Sequence, residues 1–77
     1  MEFDKLLTDD QKRQVLSNRI TQFAAEAYQH TLNKRTAEKV GAKDKVAEAD
    51  KALKTIEAAI LVHKEELEKL PVPKKTK

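Results

Sequence analysis

Cysteine is absent from this 77-residue sequence, glycine occurs once, proline twice, and aromatic residues make up 4%. The lack of cysteine removes disulfides, thiolate metal sites and cysteine nucleophiles together, and it suits a reducing compartment. A single glycine leaves no glycine-rich phosphate loop. Ser17 is the one serine, and no histidine lies at helical spacing from it. Long apolar runs are missing too, and none approaches the roughly 20 residues of a membrane span. The opening stretch MEFDKLLTDD is acidic and lacks the basic region of a secretory signal. The expectation is a cytoplasmic, non-enzymatic protein with no cofactor, no membrane association and no small-molecule substrate.

Charge is plentiful, at 38% of residues. Rich charge with few aromatics and few helix breakers belongs to long helices or to disorder, and periodicity decides between them. Thr8 and Gln11 have the spacing of a capping box, with Asp9 and Asp10 in the first turn, where the helix dipole favours acids. Nothing then interrupts a helix until Val40. Gly41 stands where a left-handed residue closes a helix, and Asp44 is a candidate N-cap for a second one. Pro71 should end that helix near Leu70. The reading divides the chain into an apolar N-terminal segment 1–7, a helical hairpin 8–70 and a basic, flexible tail 71–77. The helices cover about 9–40 and 45–70, with the turn at 41–44.

Each helix carries mostly apolar residues at steps of three and four, the seam of a coiled-coil-like pairing. In the first helix the seam is Leu16, Ile20, Phe23, Ala27, His30, Lys34, Ala37 and Val40. In the second it is Val46, Ala49, Leu53, Ile56, Ile60, His63, Leu67 and Leu70. Folding the chain back at the turn pairs Val40 with Val46, Ala37 with Ala49, Lys34 with Leu53 and His30 with Ile56. Beyond these, Ala27 meets Ile60, Phe23 meets His63, Ile20 meets Leu67 and Leu16 meets Leu70. The predicted fold is all-α, an antiparallel two-helix hairpin that assembles into a four-helix bundle. Phe3, Leu6 and Leu7 are expected to fold over the open end near Leu16, Leu70 and Val72.

Apolar residues remain beside the seams: Ala24, Tyr28 and Leu32 on the first helix, and Ala52, Ala59, Leu61 and Val62 on the second. A hairpin of this size covers one stripe of each helix and is marginal alone, so these seven are read as a protein interface. The partner is a second copy, giving a dimer, or another helical protein. His30 and His63 sit at different heights of the seam and lack the converging ligands a zinc site needs, so no metal is assigned. They read as half-buried seam residues, with His63 against Phe23; the rarer alternative is a seam that protonation loosens. Lys34 reads as a snorkelling side chain whose stem lies in the seam.

The formal net charge is +3. Positive charge gathers near the turn at Lys34, Arg35, Lys39, Lys43 and Lys45, interrupted by Glu38 and Asp44. These five are candidate phosphate contacts for the alternative function, a small nucleic-acid-associated regulator. The usual signs of that class, a continuous basic face and stacking aromatics, are lacking.

The run LTDDQKRQVLSNRITQFAAEAYQH followed by EADKALKTIEAAILVHKEELEKL resembles small uncharacterised helical proteins encoded by bacteriophages, particularly those of actinobacteria. The resemblance is one of layout and covers most of residues 6–70. It implies a small phage protein that acts in the host cytoplasm or in virion assembly, through protein–protein contacts.

Overall fold

The computed structural model describes residues 2–71. A 3-10 turn, Phe3–Leu6, precedes two long helices, α1 (Asp9–Val40) and α2 (Lys43–Lys69), which pack antiparallel as a hairpin. No helix among the described residues is long and apolar enough to cross a membrane. The expected tail, apart from Pro71, and the expected contact to Val72 lie outside the described residues.

The start of α1 follows from its first residues. The Thr8 hydroxyl accepts from the Gln11 backbone N–H at 3.1 Å, and the Gln11 side chain accepts from the Thr8 N–H at 2.9 Å. Two backbone donors that the helix itself leaves unpartnered are thereby satisfied. At the other end Gly41 adopts the left-handed conformation, φ 75° and ψ 24°. That conformation lets the Ala42 N–H reach the Ala37 carbonyl at 2.9 Å and the Gly41 N–H reach the Glu38 carbonyl at 3.3 Å, a Schellman closure.

The closure shortens the turn relative to the sequence reading. Helix α2 begins at Lys43, and its N-cap is Ala42, which contributes no side-chain hydrogen bond. Asp44 therefore lies inside the first turn, where its charge complements the helix dipole rather than capping. Leu70, the residue before Pro71, is extended at φ −77° and ψ 146°, and α2 ends there.

The seam has the predicted composition except at its last pair. Ala37, Ala49 and Ile56 are buried, and the other seam residues from Leu16 to Leu70 are half-buried. Val40 departs from the expectation, at 74% exposed. Because the chain reverses within Gly41 and Ala42, Val46 comes down beside Ala37 and Gly41, and Val40 is carried past the end of the pairing. The register is fixed at mid-length by the Phe23 and His63 rings, whose centroids lie 5.0 Å apart edge to face.

The open end is tied differently from the expectation. Leu7 lies beside Leu16 and Leu70, but Phe3 and Leu6 remain largely in solvent. A polar link does the closing: the Arg13 guanidinium donates to the Pro71 carbonyl at 2.7 Å and pairs with Asp10 at 2.6 Å. The molecule is one helix deep, with extents of 54 and 14 Å along its longest and shortest axes. A layer that thin has no interior beyond its single seam.

Candidate functional site

An antiparallel pair brings like flanks of the two seams together, so the hairpin presents two broad faces. On one, a groove runs between Ala27 and the α2 residues Leu53, Glu57, Ile60, Leu61 and Lys64. Ala24 and Tyr28 belong to this side of α1, since they follow Phe23 and Ala27 by one residue each. Leu32, one turn beyond Tyr28, lies at its outer edge. Tyr28 is 64% exposed and Leu61 54%, and the register that sets Phe23 opposite His63 puts them at neighbouring heights. We call this the tyrosine face.

The opposite face holds a groove between Glu26 and His30 of α1 and Ala52 and Thr55 of α2. Ala59 follows Ala52 by seven residues and continues that line, with exposed Val62 one turn further. The seven residues read as one interface are thus divided: Ala24, Tyr28, Leu32 and Leu61 on the tyrosine face, and Ala52, Ala59 and Val62 on the other. Only the first group includes an exposed aromatic.

Charge distinguishes the faces as well. Between Gln14 and Asn33, α1 carries two charged residues, Arg19 and Glu26. Neither is on the tyrosine side: Arg19 reaches back to His63, and Glu26 lines the opposite groove. The α1 half of the tyrosine face is therefore an uncharged strip, in which the Thr31 hydroxyl is spent on the Ala27 carbonyl at 2.9 Å. The α2 half alternates in sign around Leu61.

His63 lies in a cluster that sequence reading found only in part. Its contact with Phe23 was legible; Arg19 was not. The Arg19 Nε–H donates to His63 Nε2 at 2.9 Å, and the same guanidinium sits 5.2 Å from the centre of the Phe23 ring. With Nε2 accepting, Nδ1 carries the proton and donates to the Ala59 carbonyl at 2.7 Å. The imidazole is thus hydrogen-bonded at both nitrogens. The signal for Arg19 was its place one helical turn before Phe23, on the flank of the seam.

The basic turn loses part of its apparent charge. The Lys34 stem runs in the seam as expected, but its ammonium ends on Asp50 across the hairpin at 2.8 Å. That bond and the Asp50 charge raise the Lys34 pKa above its ordinary 10.5. Lys45 lies 3.9 Å from Glu48. Arg35, Lys39 and Lys43 are exposed, and Lys39 also complements the C-terminal end of α1. Among the described residues no three His, Asp or Glu side chains converge on a common point.

The chain was compared with protein-family models, curated proteins and solved structures, and none matches significantly.

Proposed function

We propose that the protein is a non-enzymatic interaction module, a helical hairpin that completes its fold by burying the tyrosine face against another helical surface, as in a four-helix bundle. One observation carries this reading. The described chain buries three residues, all in the seam, while Tyr28 and Leu61 stand exposed at neighbouring heights of one face. A single layer of two helices gains little from burial and loses the full conformational entropy of ordering. A second layer would remove Tyr28, Leu61 and the half-buried Ala27, Leu53 and Ile60 from water together. The basic turn gives less support to nucleic-acid binding, since Lys34 and Lys45 already have carboxylate partners.

Amide hydrogen exchange on the dilute chain tests the reading. The expected result is weak protection throughout α1 and α2, rising when the tyrosine face is covered. Strong protection in a dilute monomer would overturn it, because such a hairpin would need no partner.

A further inference from the structure

Resting on that module, we propose that its partner is a second copy of this chain, packed antiparallel across the tyrosine face about a two-fold axis level with Leu61. The charge order on α2 carries the proposal. Along the outward stripe containing Leu61, residues recur at steps of three and four: Lys54, Glu57, Leu61, Lys64 and Glu68. Reversed about Leu61, the stripe sets every charge against its opposite. Glu57 of one copy meets Lys64 of the other, Lys54 meets Glu68, and Leu61 meets Leu61. An interface between identical copies requires this self-complementarity, because each pairing occurs twice. All four charges are exposed, and the ion pairs among the described residues use none of them.

Helix α1 gives an independent check. The contact of Phe23 with His63 places Leu61 level with Ala25, one residue before Glu26. A two-fold axis through that level, running across both helices, also lays α1 antiparallel on α1 of the second copy. Within one residue of that level, Ala24 meets Tyr28 and Thr21 meets Thr31, their common midpoint being Glu26. The large exposed aromatic falls on a small residue, as interdigitating layers require, and no charge is buried on the uncharged strip. One axis thus satisfies, to within one residue, the charges of α2 and the side-chain sizes of α1. The other face offers no comparable match, since Glu26, His30 and Glu48 crowd its groove.

Charge reversal tests the axis directly. Glu57→Lys places like charges opposite each other twice per dimer, and so does Lys64→Glu. Each variant alone should dimerise about tenfold more weakly than the natural chain. Mixed in equal amounts, the two should form a heterodimer of near-natural affinity, because both cross-pairs become attractive again. Sedimentation measures the association, and circular dichroism confirms that each variant keeps its helices, as exposed positions should. If the natural chain dimerises but neither variant weakens it, or mixing restores nothing, the axis is wrong and the interaction module stands. If the natural chain stays monomeric at its highest soluble concentration, the second copy is wrong and the module must take a foreign helical partner.

Discussion

His63 illustrates how a single residue can look functional and prove structural. Its ring is bonded at both nitrogens, to Arg19 and to the Ala59 carbonyl, and it meets the Phe23 ring in a T-shaped contact. Nitrogen-15 shifts should therefore show the proton on Nδ1 and an accepting Nε2; a proton on Nε2 would contradict the Arg19 contact. Lys34 gives a second prediction at this scale. Its pKa is raised in the folded chain by the hydrogen bond and charge of Asp50. A cation with a raised folded pKa contributes its stability in full below the unfolded value and loses it as pH rises through the folded one. Melting temperature should thus fall as pH climbs past 10.5, and Lys34→Met should flatten that fall. An equal alkaline decline in both proteins would show that the Asp50 pair contributes nothing. The partners of both residues were hard to foresee, because seam positions predict heights along the hairpin and not the reach of long side chains. Arg19 and Asp50 both stand on the flanks of the seam.

For the helices, the ends matter most. Gly41 sits at φ 75°, and a Cβ added there would meet nothing within 4 Å, so the cost of a side chain is confined to the backbone. Gly41→Ala should destabilise the hairpin by about 1 kcal/mol, read as a lower thermal midpoint with unchanged helical content. Thr8→Ala removes half of the capping box and should cost about 1 kcal/mol by the same measurement. Ala37 and Ala49 are buried near the turn, where small residues let the helices approach, and Ala49→Leu should cost about 1–3 kcal/mol through overpacking. A neutral result there would mean that the helices can separate freely near the turn. Both helices and most of the seam were legible because their period is long and unbroken. The turn was legible only as far as Gly41. Asp44 looked like a cap because acids favour that role, but the Schellman bonds reverse the chain before a side-chain cap is needed. Val40 follows Ala37 by a second consecutive step of three, where the alternation calls for residue 41, so it falls on the flank of the seam and not in it. Phe3 and Leu6 had no periodicity to place them.

At the scale of the whole molecule, the hairpin is a layer with one seam and two faces. The seven apolar residues beside the seams could be found by counting along each helix. Assigning them to faces required the chain reversal, which joins the Tyr28 flank of α1 to the Leu61 flank of α2. The same reversal separates Ala52, Ala59 and Val62 from them. The tyrosine face is where, on our proposal, a second copy of the chain packs. Light scattering coupled to size exclusion, over a range of concentrations, tests it by comparing the natural chain with Leu61→Glu. The natural protein should show a mass rising with concentration to twice that of one chain, and the variant a single-chain mass throughout. A natural chain that stays single at every concentration, or a variant that associates as well as the natural chain, would contradict it.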